Sequence, residues 1–169
     1  MSDEMFDIID ATTGEVIGAA PRSHCHGNPA LLHRSVHVVV YHSDGRVLLQ
    51  KRSLNKDIQP GKWDTAVGGH LAAGEDYETA ARREMREELG ITAPLPLRRL
   101  FDSQVRNSRE SENVRVFAVT YDGPFTLQKE ELDAVEYFSL AELRARINSN
   151  EAADLTPVLA EEILRLPDA

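Results

Sequence analysis

The sequence predicts a mixed α/β (α+β) fold in which a mixed β-sheet lies between helical layers. Three observations carry this. Strand-length apolar runs rich in valine recur along the chain, as in residues 36–41 and 113–121. Helical periodicity appears once in the middle, with Ala80, Ala81, Met85 and Leu89, and twice near the end. The resulting order is strands, helix, strands, helix, helix, with Gly and Pro punctuating the boundaries.

Residues 5–9 and 15–18 flank Thr12-Thr13-Gly14 and read as a short structural hairpin. Residues 19–32 carry Pro21, Gly27 and Pro29 and read as a loop holding His24, Cys25 and His26. The continuous run 36–41 is a buried strand, paired through the Ser43-Asp44-Gly45 turn with a strand over 46–51. A polar loop over 53–62 closes at Pro60-Gly61, and a short strand over 63–67 leads into Gly68-Gly69. Trp63 is expected to fill core, as large aromatics usually do.

The next helix takes its N-terminal carboxylate from Asp76 or Glu75 and stops at Gly90. Pro94 and Pro96 then break the chain. Strands follow over 97–105 and 113–121, joined by a polar connection over 104–112. A strand over 132–138 precedes a helix over 140–147, with Ser139 as N-cap and Glu142 at the capping-box position. A last helix over 156–166 starts beside Pro157.

The chemistry concentrates in residues 69–91, GHLAAGEDYETAARREMREELGI. Glu84, Glu87 and Glu88 stand at i, i+3 and i+4, so they share one helix face and repel one another. A run of charges is ordinarily a solvated face. Three carboxylates on one rigid face are also what a hard cation such as Mg²⁺ or Mn²⁺ accepts. Arg83 beside them can fork onto a carboxylate and hold it. The segment fills every fixed position of G-x5-E-x7-R-E-U-x-E-E-x-G-U, U being apolar: Gly69, Glu75, Arg83, Glu84, Met85, Glu87, Glu88, Gly90 and Ile91.

That pattern resembles the signature of the Nudix hydrolases. The resemblance implies an α/β/α sandwich with a mixed sheet, a divalent metal, and attack of water on a diphosphate linkage. It implies that Glu84, Glu87 and Glu88 hold the metal, with the carbonyl of Gly69. One of these glutamates, or one elsewhere, takes the proton of the attacking water. Glu75 and Arg83 become structural partners of the loop and helix.

A second likeness covers nearly the whole chain. His26, His33 and His70, with Glu110 and Glu112, resemble the metal site of type I isopentenyl-diphosphate isomerases, a branch of the same superfamily. The stretches LLHRSVHVVVYHSDGRVLLQKR and PGKW are similar to theirs. Three imidazoles and two carboxylates make a sound divalent site. By the same likeness Lys51, Arg52 and Lys56 contact a diphosphate; otherwise they are a solvated hairpin end. The departure is at Gly68, where the isomerases carry a catalytic cysteine. Cys25 lies elsewhere in the chain. Glu130 and Glu131 stand where some Nudix enzymes keep a further base, and read here as turn charges.

At 169 residues, with 41% hydrophobic and 28% charged residues, the chain is expected to form one domain, 1–169. Residues 1–32 would form its N-terminal hairpin and loop, and 33–169 its core. A net charge of −9 disfavours nucleic acid polymers and anionic membranes as partners, but not a small polyanion drawn to a metal. A small-molecule diphosphate is the expected partner, and a homodimer is compatible with the sequence. The single cysteine and the absence of a signal-like or spanning segment point to the cytoplasm. The leading expectation is a Nudix pyrophosphohydrolase using Mg²⁺ or Mn²⁺. Isopentenyl-diphosphate isomerisation is the alternative. A ligand-sensing Nudix domain is a third, disfavoured by the complete signature.

Overall fold

The computed structural model describes residues 3–56 and 58–169. At its centre is β3, Leu32–Tyr41. Its valines are buried on both faces because its side chains alternate between two cores. Val36, Val38 and Val40 enter one core, and Val39 and Tyr41 the other. β4 (Val47–Arg52) pairs antiparallel with β3 at Val40 and Tyr41, whereas β6 (Val67–His70) pairs with its earlier part, residues 35–38. β8 (Ser111–Thr120) runs parallel to β3 along its whole length. β5 (Trp63–Thr65), β7 (Arg98–Arg106) and β9 (Leu132–Phe138) complete a seven-stranded mixed sheet.

The helix α2 (Tyr77–Leu89) covers the first core with Ala80, Ala81, Met85 and Leu89. Asp76 caps it, accepting from the Thr79 N–H at 2.8 Å. Gly90 ends it at φ 68°, where a Cβ would also meet Thr126 at 2.9 Å. The helices α3 (Leu140–Asn148) and α4 (Pro157–Arg165) cover the second core, capped by Ser139 and Thr156. Trp63 packs on that core edge-on to Phe138. None of the described helices is long and apolar enough to cross a membrane.

β1 (Met5–Ile9) and β2 (Val16–Pro21) form a separate two-stranded sheet. It is tied to the loop before α2 by Ala73 N–H to the Met5 carbonyl at 2.8 Å and Gly74 N–H to Asp7 at 2.9 Å. Arg34 also pairs with Asp7 at 2.9 Å.

Four boundaries differ from expectation. Residues 19–25 are not loop: β2 runs to Pro21 and a short helix, α1 (Arg22–Cys25), follows. β3 starts at Leu32, so His33 lies on the strand. The strand expected over 63–67 is two strands, one pairing β4 and the next β3. The polar connection expected over 104–112 shrinks to residues 107–110, because β7–β8 pairing extends through Arg106 and Ser111. Cross-strand hydrogen bonds extended β2, β3, β7 and β8 where local hydrophobicity had already faded.

Candidate active site

The four residues of β6 connect the two charged clusters. On the α2 side, Gly68 N–H donates to Glu88 at 3.3 Å, joined there by the Gln50 amide at 3.3 Å. Gly69 faces Glu84 so closely that a Cβ would stand 2.4 Å from its carboxyl carbon. The His70 carbonyl accepts from Arg83 at 3.0 Å.

Arg83 organises the acids of α2. Its guanidinium holds Glu75 through a fork of 2.9 and 2.8 Å. It also reaches Glu84 at 2.6 Å and Glu87 at 3.3 Å. Glu75 in turn accepts from the Ala72 N–H at 3.0 Å, which fixes the loop below the helix. With these anions around it, Arg83 is held firmly protonated. Glu88 is only 6% exposed, and burial followed by the neighbouring Glu84 carboxylate pushes its pKa well up. Burial also raises Glu84, against the pull of Arg83. These are buried carboxylates with too little positive charge, an arrangement a divalent cation would relieve.

The ring of His70 belongs to the second cluster. His26, His33, His70 and Glu110 each present a ligand atom within 4.8 Å of all the others. His26 Nε2 stands 3.4 Å from His70 Nε2 and 3.4 Å from Glu110. Glu112 adjoins them, 3.8 Å from His33 and 3.5 Å from His70. Register explains the gathering: His33 pairs with Glu112, and Ser35 with His70. His26 and Glu110 meet because Gly27 N–H donates to the Arg109 carbonyl at 2.6 Å. His33 is fully buried, and among the described residues its Nε2 has no hydrogen-bond partner. An orphaned imidazole nitrogen aimed into a ring of donors fits a metal ligand. Burial lowers the pKa of His33; burial and then the neighbouring imidazoles take His70 well below 6.5. Both are therefore neutral donors near pH 7. Burial, then Glu112, raises Glu110 to about 7.

Among the basic residues, Arg52 donates to the Ile58 carbonyl at 3.0 Å and to Asp64 at 3.3 Å. Lys56 pairs with Glu131. Lys51 lies in β4, in register with Trp63.

Three functional neighbours escaped sequence reasoning. Phe6 stacks on His33 and His70 at centroid distances of 5.2 and 4.9 Å, although the hairpin carried only a structural expectation. Gln50 interrupts the apolar run VLL, and His37 interrupts the valines of β3; each polar intrusion was a usable signal. His37 donates through Nδ1 to the Glu162 carboxylate, 125 residues away, at 2.7 Å.

Comparison with known proteins identifies the family. The NUDIX domain profile matches residues 31–159. A Nudix hydrolase of Yersinia pestis is 37% identical over 147 residues, covering 85% of this chain and 77% of its own length. An isopentenyl-diphosphate Delta-isomerase of Nocardia farcinica is 34% identical over 160 residues, covering 92% of this chain and 90% of its own. A crystal structure of a Deinococcus radiodurans protein superposes with a TM-score of 0.78 at 30% identity, covering 96% and 98% of the two chains. With its complete signature helix and this profile match over most of its length, the chain belongs to the Nudix family of hydrolases.

Proposed function

We propose that this chain is a divalent-metal-dependent pyrophosphohydrolase that cleaves the diphosphate linkage of a small organic diphosphate, with nucleoside diphosphate derivatives as the leading class. The observation that carries the reading is the convergence of the α2 acids on β6: Arg83 gathers Glu84 and Glu87, Glu84 lies against Gly69, and Glu88 is held by the Gly68 N–H and Gln50. Glu84, Glu87, Glu88 and the Gly69 carbonyl would hold Mg²⁺ or Mn²⁺. A cation there would supply a bound water of lowered pKa and would neutralise charge on the diphosphate. Arg83 keeps the carboxylates aimed, and Glu75 keeps Arg83 in place. Glu88, the most buried of the acids, is suited to accept a proton once a cation has lowered its pKa again. Lys51, Arg52 and Lys56 supply positive charge for the phosphates, Arg52 and Lys56 exchanging Asp64 and Glu131 for them.

His26, His33, His70, Glu110 and Glu112 form a second proposed divalent site. Because Phe6 and His26 complete it from the N-terminal segment, residues 1–32 and 33–169 act as one unit in this reading. The buried thiol of Cys25 fits a reducing cytoplasm.

A panel of nucleoside diphosphates, diphosphate sugars and isopentenyl diphosphate, incubated with Mg²⁺ or Mn²⁺, tests the reading through release of phosphate-containing products. On the substrate so found, Glu87→Gln and Glu88→Gln should each lower turnover by two orders of magnitude or more, the range typical of lost metal-site carboxylates and general bases. Both should leave thermal unfolding within a few degrees of wild type, since each removes a repelling charge. Wild-type turnover in both variants would place the chemistry elsewhere.

The isomerase reading has one observation in its favour, the assembled His/Glu cluster. Against it, Gly68 offers no side chain where a proton donor is required.

A further inference from the structure

Gln50 is a buried amide in an otherwise apolar stretch of β4. The side chains of that strand alternate between the two cores, Val47 and Leu49 entering the second and Leu48 the first. Gln50 shares the face of Leu48, so it points towards α2, and it is only 6% exposed. A buried amide is costly unless it is hydrogen-bonded.

Its partners account for it. The side-chain nitrogen donates to the Ala66 carbonyl at 3.1 Å and to Glu88 Oε1 at 3.3 Å. A backbone carbonyl can only accept, so the nitrogen and not the oxygen must face Ala66, which fixes the orientation of the amide. Both amide hydrogens are then spent. Ala66 lies between β5 and β6, so one side chain on β4 ties the entry of β6 to an acid of α2. From the other side, the Gly68 N–H donates to Glu88 Oε2 at 3.3 Å. Each oxygen of Glu88 therefore has its own neutral donor, and the carboxylate cannot turn without losing one of them.

The charge of the donor matters as much as its place. Arg83 reaches Glu84 and Glu87 and already brings a full positive charge to these acids. A lysine at position 50 would set a second charge against Glu88 and weaken the negative field in which a divalent cation binds. A methionine would take away the donor shared by Glu88 and the Ala66 carbonyl. An amide aims the carboxylate and leaves its charge for the ion.

We infer that Gln50 is a positioning residue of the α2 acids: it fixes Glu88 without neutralising it, and thereby sets the affinity of that site for a divalent cation. This rests on the metal reading above.

Mn²⁺ titration of the full chain tests it, with the free ion followed by its paramagnetic resonance signal. The binding step that is lost in Glu87→Gln reports on the α2 acids. Gln50→Met, close to glutamine in size but without its donors, should weaken that step by about ten- to a hundredfold, the range typical when the partner of a metal ligand is removed. Gln50→Lys should weaken it by a similar factor, yet without metal it should unfold at a temperature no lower than wild type, because the ammonium offsets repulsion among the acids. A glutamine that only supports the fold would instead make metal affinity follow the unfolding temperature. Either folded variant binding Mn²⁺ within about threefold of wild type at that step overturns the role. So does a lysine variant whose affinity and unfolding temperature fall together. The lysine variant decides alone if the methionine variant does not fold. Absence of any Glu87-dependent step in the wild-type protein would sink the metal reading itself, and this role with it.

Discussion

Two residues show how burial and charge compete here. Arg83 is surrounded by carboxylates and stays positive; without it Glu75, Glu84 and Glu87 would lose their common partner. A lysine could not replace its planar fork. His37 shows the same competition with a single carboxylate. Burial works against its charge, yet the Glu162 carboxylate wins and raises its pKa to about 9 from 6.5. An imidazole bound more tightly to its proton in the folded state stabilises fully below pH 6.5, and that contribution is lost as pH rises through about 9. The upper limit is roughly 3 kcal/mol. Urea unfolding at pH 6.5 and pH 9 should therefore show wild type losing more stability across this window than His37→Gln. Equal losses would mean that the pair contributes nothing in this window.

Among the elements, β6 does the most with the fewest residues. It pairs with β3, presents Gly68 and Gly69 to the acids of α2, and sends His70 to the other cluster. Gly69 is required by the close approach of Glu84. Gly69→Ala should push Glu84 out of place and lower turnover about a hundredfold, while costing only about 1–3 kcal/mol of stability as an overpacking change. Parallel turnover and urea-unfolding measurements check it; unimpaired turnover would show that Glu84 need not sit where Arg83 holds it. The helix α2 was almost wholly legible beforehand. Its apolar stripe and its stop at Gly90 follow from short-range spacing, as does an N-terminal carboxylate, which the structure assigns to Asp76 rather than Glu75. α1 was not, because four residues of RSHC carry no periodicity and the turn is held by Asp3 and Glu4, just ahead of β1.

For the whole molecule, the question is which reaction a Nudix chain with both clusters performs. Moving an isolated double bond needs a donor on one face of the carbon skeleton and an acceptor on the other. Gly68 supplies neither, and the buried thiol of Cys25 packs with Phe6 and Ala20 under the hairpin. Incubation with isopentenyl diphosphate and Mg²⁺ or Mn²⁺ should give no dimethylallyl diphosphate. Its appearance at enzymatic rates would mean that another residue supplies the proton and would overturn the hydrolase reading.

The sequence by itself determined the Nudix signature, the clustering of Glu84, Glu87 and Glu88, the helix caps and the mixed α/β order of elements. The acids and the caps are set by residues within one or two turns of each other, and the signature and element order by spacing along the chain, so no tertiary contact is needed to read them. It also named His26, His33, His70, Glu110 and Glu112 as a candidate set, through resemblance. Only the tertiary structure decided that they meet, since β3 must find β6 and β8 in one register before those side chains share a space. The same holds for Phe6 beneath the histidines and for His37 against Glu162. Such contacts come from strand register and burial of distant segments, and a one-residue slip in the register of β3 would turn His33 and His37 to the opposite face.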